Sequence, residues 1–363
     1  MNSFIPIELY TPFYFYSLLF IVLVTFLHTL ILPLNSVKIL KYIKVIGPVL
    51  LIFVILYMGL RPISGRYFGD MSTYSHYFKI YSTGAPITST RDILFHNFTK
   101  FSSQLMTIHV YFLLCAGLYV IPLYFICKKW FNDYWFYGFL FLIGAFSFWA
   151  YGTNGIRNGI AGSFFLLGIS REKRVWQILW IVLAINFHKT MLLPAVGFLL
   201  ANFYNQPKRM IVFWALCIPV SLIGGGFFEN FFGSIGFDDQ RIHYFTEGKI
   251  NNDDFRFTGF RWDFLMYSAT AVFAGWYYIV KLKFKDKIYF WLYNTYLFSN
   301  AFWILVIRAN FSNRFAYLSW FMIGVVLIYP LLIKEIIPRQ HHRIGLVLIA
   351  YFSFTFIMNL LIN

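Results

Sequence analysis

Runs of roughly twenty consecutive apolar residues, about the length that crosses a bilayer as a helix, recur along the whole chain between short polar stretches. They cover residues 13–34, 43–60, 105–127, 134–150, 156–170, 175–187, 190–203, 210–227, 263–280, 288–307, 315–333 and 344–362, which predicts about twelve membrane segments. Segments such as 15–32 and 317–333 are apolar on every side and read as helices, since a barrel strand would alternate apolar and polar positions. Between 156 and 203 the runs are short, so a re-entrant pair could replace full spans there. Two longer polar stretches, 61–104 and 229–262, are left as loops. The expected fold is all-α: one integral membrane domain over 1–363, built as a polytopic transmembrane helical bundle.

Composition agrees with the pattern. The chain is 60% hydrophobic and 12% charged, against roughly 45 to 50% and 25% in a soluble domain. A formal charge of +16 would suggest nucleic-acid binding in a soluble protein. Here the charges lie in the loops, 17 of the 30 Lys and Arg falling in alternate loops around Lys41, Lys129, Lys173, Lys208, Lys285 and Arg339. That side carries four acids, Asp133, Glu172, Asp286 and Glu335; the opposite side has 13 basic residues and 10 acids. By the positive-inside rule the richer side is cytoplasmic, which puts both termini and the two long loops outside, with the lipid bilayer and no nucleic acid as partner. No Lys or Arg precedes the first run, so it reads as a retained anchor and not as a cleaved signal. Cys115, Cys127 and Cys217 lie in or at the ends of predicted spans, and their odd number argues against a disulfide framework. No Cys or His spacing suggests a metal site, and no cofactor is expected.

Charges at or within apolar helices carry a transfer penalty of roughly 2.5 to 3.5 kcal/mol at mid-depth, which makes them the informative residues. Arg61, Arg66 and Asp70 follow the second run, with Tyr74, Tyr77 and Tyr81 spaced to share one helical face. They fit either an interfacial helix with snorkelling arginines or an anionic site beside sugar-stacking rings. Arg157 opens a short Gly- and Ala-rich run, where a helix start already has partial positive charge, so an anion beside it explains it better than capping does. Asn186, His188 and Lys189 form a polar break between two short runs, and Arg308 and Arg314 flank a late outer loop with Tyr317 one turn on. The loop holding Asp238, Asp239, Arg241, His243, Asp253, Asp254, Arg256, Arg261 and Asp263 reads as solvated, or as a weak divalent-ion site. Phosphate suits clustered arginines because the guanidinium makes bidentate, charge-assisted hydrogen bonds. An amphiphilic, lipid-linked pyrophosphate would match such a face.

The order of these motifs resembles the EpsG-like, Wzy-type family of bacterial polysaccharide polymerases: Arg61 with Gly69, Asp70, Tyr74 and Tyr77; the run Ile156 to Ala161; His188 with Lys189; and Arg314 to Tyr317 before a span holding Pro330. The resemblance implies a multi-pass protein of the bacterial cytoplasmic membrane that joins oligosaccharide repeat units carried on undecaprenyl pyrophosphate at its outer face. It further implies a chain-length regulator and a flippase as partners. On that reading Arg61, Arg66, Arg157, Arg308 and Arg314 hold pyrophosphate, Tyr74, Tyr77, Tyr81 and Tyr317 meet sugars, and Asp70 or His188 takes the acceptor proton. Gly69 and Asp70 are adjacent here, without the intervening residue of the family pattern. A membrane O-acyltransferase using His188, a lipid-linked-sugar transporter and a membrane scaffold are the rival readings. A transporter would carry charge through mid-membrane, where these runs have almost none.

Overall fold

The computed structural model describes residues 5–234, 259–309 and 312–362. Among them there are helices and no strand. In chain order they are α1 (Tyr10–Ile31), α2 (Val37–Gly59), α3 (Gly65–Phe68), α4 (Met71–Ser82), α5 (Ile93–Leu105), α6 (Ile108–Phe131), α7 (Trp135–Ile143), α8 (Phe146–Thr153), α9 (Ile156–Ile169), α10 (Arg174–Phe187), α11 (Leu192–Phe203), α12 (Pro207–Ser234), α13 (Trp262–Trp276), α14 (Lys287–Leu305), α15 (Asn313–Trp320), α16 (Ile323–Ile333) and α17 (Gln340–Ile362).

Every predicted run is helical, but the number of full-length spans differs from the expected twelve or so. Six helical stretches among the described residues are long and apolar enough to cross a membrane: 7–31, 37–59, 108–143, 207–224, 313–333 and 340–361. Two local features account for part of the difference. The runs from 156 to 203 form helices of 14, 14 and 12 residues, about 20 Å each, where a bilayer core is about 30 Å. The run 134–150 breaks into α7 and α8, with α7 falling in the same long stretch as α6; the run 315–333 also breaks, into α15 and α16, but still counts among the six. Part of the stretch expected to be loop, 61–104, is also helical, as α3, α4 and α5.

The chain divides into two compact units, residues 1–191 with 328–363, and residues 192–327. In the first unit α1 lies along α17, at a closeness that depends on Gly345, since a Cβ there would collide with Thr29 Oγ1. A helix break in an apolar bundle strands backbone carbonyls, each costing several kcal/mol if left bare. Here side chains take them. At the α7–α8 break, Tyr14 OH donates to the Ile143 carbonyl at 3.0 Å and Thr355 Oγ1 to that of Gly144 at 2.9 Å.

The carbonyls of Val326 and Leu327, at the end of the second unit, are met in the same way. Pro330 has no N–H to give the carbonyl four residues back, and Tyr289 OH donates to that Val326 oxygen at 3.1 Å. Neighbouring Leu327 receives Tyr278 OH at 3.0 Å. Within this unit α11, α12 and α15 pack on α14. Asn300 lies at the centre, accepting from Trp214 Nε1 at 2.8 Å and donating to Ser268 Oγ at 3.1 Å and Ser319 Oγ at 2.9 Å. A buried amide satisfied on both ends gives the apolar interface a single register.

Candidate functional site

Three interruptions of helix meet in the first unit. Asp92 precedes α5, Arg157 lies in the first turn of α9 just after the Asn154–Gly155 break, and His188 with Lys189 form the break after α10. Arg157 Nη1 donates to Asp92 Oδ2 at 2.7 Å, and His188 Nδ1 meets the same oxygen at 3.0 Å. The Lys189 backbone N–H donates to Oδ1 at 2.9 Å. The side chains of Asp92, His188 and Arg157 are 5%, 17% and 30% exposed, so the carboxylate is the floor of the cluster and the imidazole and guanidinium reach its rim.

Burial by itself pushes the Asp92 carboxyl up; the His188 hydrogen bond, the positive charges facing it and the Lys189 amide outweigh burial and hold it at about 2. A carboxyl lowered on folding adds stability above the ordinary carboxylate range, and that contribution is lost as pH falls through about 2. Asp92 is therefore an anion under all working conditions. Beside it, burial first and the Arg157 charge second push His96 down, against a smaller upward pull from Asp92, so His96 is held neutral. Its Nδ1 is hydrogen-bonded to Tyr81 OH at 2.9 Å.

The Arg157 guanidinium stands near the rings of Tyr74 and Phe95, 5.8 and 6.0 Å from their centres. Its Nε is buried without a hydrogen-bond partner, as are Asn158 Oδ1 and Thr190 Oγ1 on the adjoining turns. Buried polar atoms are nearly always paired. Three unpaired ones around a fixed ion cluster fit a site shaped for an oxygen-rich ligand.

The residues singled out in the sequence take different places. His188 and Arg157 come together, but the anion expected beside Arg157 is supplied by the chain itself, as Asp92. Asp70 begins α4, where its backbone N–H donates to Asn154 Oδ1 at 2.7 Å. The turn needs Gly69, whose φ is +50° and which has the Asn154 side chain pressed against it. Arg61, expected to hold pyrophosphate, is 1% exposed; it donates to the carbonyls of Met58 and Thr153, the latter at 2.9 Å. Those carbonyls end α2 and α8, where helix dipoles favour a cation, so Arg61 is a joint between helices and has no face open to a ligand. Arg66 is exposed on α3, beside the Tyr67 ring.

Tyr74, Tyr77 and Tyr81 do share a face of α4, but it is largely the packed face. Tyr74 and Tyr81 are 2% and 4% exposed and present no ring surface to a sugar, because α4 turns its apolar side inward with Met71 and Phe78. Tyr77 is half-buried, its ring against His96 at 5.0 Å. In the second unit Arg308 is exposed, with Nη2 donating to the Leu222 carbonyl at 3.3 Å. Arg314 and Tyr317 are half-buried on α15, with the Tyr317 ring 5.4 Å from that of Trp320. Arg261 pairs with Asp263 through two bonds of 2.9 and 2.6 Å. Asp238, Asp239, Arg241, His243, Asp253, Asp254 and Arg256 lie outside the described residues, which hold no group of His, Cys, Asp and Glu able to bind a metal.

Asp92 itself is the residue that sequence reasoning missed. Asp92 falls in a stretch that reads as polar loop, and nothing local points to partners 65 and 96 residues away. In comparison with known proteins, the model of the EpsG family fits residues 44–363. No curated protein and no solved structure matches the chain.

Proposed function

Because the chain belongs to the EpsG family, we propose that it is a polysaccharide polymerase of the bacterial cytoplasmic membrane, joining lipid-linked oligosaccharide repeat units at the outer face. The observation that carries this reading is the Asp92–Arg157–His188 cluster, which combines an oriented imidazole with a guanidinium that still has donors to give. The transfer needs both. A sugar hydroxyl on the acceptor attacks the anomeric carbon of the donor, forming the new glycosidic bond as the bond to undecaprenyl pyrophosphate breaks. The hydroxyl proton passes to His188, and the charge growing on the departing pyrophosphate is met by Arg157. The pyrophosphate linkage supplies the driving force, so no nucleotide sugar enters the step. Arg66, exposed on α3, is a further phosphate contact on this reading, and half-buried Tyr77 a sugar contact. A flippase to deliver the donor and a regulator of chain length are the partners it calls for.

The purified protein, given only an undecaprenyl-pyrophosphate-linked oligosaccharide of the correct repeat, is expected to yield a ladder spaced by whole repeats and to release lipid pyrophosphate. A reaction mixture that keeps single repeats at every enzyme concentration rules the activity out. The outward orientation rests on the alternation of basic loops. A cysteine introduced at exposed Thr83 is therefore expected to react with a membrane-impermeant reagent in intact cells, and one at exposed Lys285 to be protected; the reverse pattern would place the cluster on the cytoplasmic side.

One feature favours a second reading, a membrane O-acyltransferase: a histidine held by a carboxylate can also activate a hydroxyl for acyl transfer. Cells lacking the protein separate the two. Accumulated single repeats follow from a missing polymerase, whereas full-length polymer without an acyl decoration follows from a missing acyltransferase.

A further inference from the structure

Asp92 occupies the capping position of α5, where an aspartate side chain ordinarily accepts the first free N–H groups of its own helix. It makes no such bond. Its backbone is left-handed, with φ 48° and ψ 39°, a conformation that a non-glycine residue keeps only where its surroundings hold it. The left-handed residue sits where the carboxylate forgoes its own helix for Arg157 and the His188–Lys189 turn. One oxygen, Oδ2, serves both the guanidinium and the imidazole.

We infer that Asp92 is a positioning residue for the transfer reaction, fixing the base and the phosphate-binding group against one shared anchor. The inference rests on the polymerase reading. With Nδ1–H directed to Asp92, the His188 tautomer is set so that Nε2 carries the lone pair that takes the acceptor proton. With Nη1 bonded to the same oxygen, one arm of the Arg157 fork is held while its Nε is left without a partner. The distance between proton removal and leaving-group stabilisation is thereby built into the unliganded protein, and a displacement of about 1 Å in such a pair can cost about a hundredfold in rate. Asp92 touches neither substrate; its effect runs through the two side chains it holds.

Asp92→Gly separates this role from a purely conformational one, because glycine suits the left-handed backbone and removes only the carboxylate. The ladder assay is run with wild type, D92G, D92N, H188A and the double variant D92G/H188A, each at measured membrane abundance. D92G at normal abundance is expected to lose about a hundredfold in kcat, with D92N between it and wild type, since asparagine tolerates the same backbone and keeps one acceptor oxygen. Adding D92G to H188A is expected to cost clearly less than D92G costs alone, because the part of its effect that runs through His188 is already gone and only the part through Arg157 remains. Full-rate D92G overturns the inference, the left-handed turn being then the whole of Asp92's task. Losses that multiply in the double variant overturn it as well, and so does disappearance of both D92G and D92N from the membrane, which would make Asp92 a residue of folding. A wild-type protein that forms no ladder removes the polymerase reading itself, a result distinct from a wild-type ladder with a full-rate D92G.

Discussion

Replacing His188 by alanine is expected to lower the rate of repeat-unit joining by about a hundredfold to ten thousandfold, the range over which positioned general bases contribute, with membrane abundance and donor binding near normal. His188 is partly exposed at the rim of the cluster while its Nδ1 is engaged by Asp92, so alanine removes the proton acceptor and leaves the Arg157–Asp92 pair intact. The loss should therefore appear in kcat with KM little changed, as it does when an interaction made only in the transition state is removed. Initial rates of ladder formation at saturating and limiting donor measure this split. An H188A protein that joins repeats at a tenth of the normal rate or better would mean that the proton leaves by another route, and the histidine would then be part of the packing between α5, α9 and α10.

Arg157→Lys is the second large effect, and it is expected in KM as well as kcat. A guanidinium can hold Asp92 through Nη1 and still present other donors to a phosphate; an ammonium is a single point and cannot span both. Losing one charged hydrogen bond to a partly desolvated phosphate costs roughly 1.5 to 3 kcal/mol, or about ten- to hundredfold in binding. Donor affinity measured on the purified variant tests this. Near-normal affinity and rate at normal abundance would leave Arg157 as a structural partner of Asp92 and the Tyr74 and Phe95 rings. Arg61 provides a contrast within the same unit, since its donors already serve helix-end carbonyls and its burial closes it to ligand.

Local pattern made some of this legible and long-range pairing hid the rest. Helices and their approximate ends followed from apolar run length, because that property is contained within a window of twenty residues. Arg157 stood out for a local reason too, a cation at a helix start. Its partner did not, because Asp92 becomes special only when segments 65 residues apart are folded together. Arg61 and Arg157 look alike in sequence, each beside Gly, Tyr and an acid or amide; burial alone distinguishes the joint from the rim. The tyrosines of α4 show the same limit. Their spacing correctly placed them on one face, but spacing carries no sign, and packing turned most of that face inward. Broken helices were the hardest to foresee, since runs 134–150 and 315–333 stay apolar through their breaks.

The mended break between α7 and α8 also sets an order of events during biosynthesis. Tyr14 has already been made when Ile143 leaves the ribosome, so that carbonyl can find its hydroxyl at once. The donor for Gly144, Thr355, lies 211 residues further along the chain. At about 5 to 20 residues per second its arrival takes about ten to forty seconds. For that interval the Gly144 carbonyl must be solvated by water or by the insertion machinery, because dry lipid offers it no partner. The first unit therefore closes late: α7 and α8 can settle into the hydrocarbon interior only when α17 docks beside α1, and assembly of the cluster's scaffold waits on Thr355.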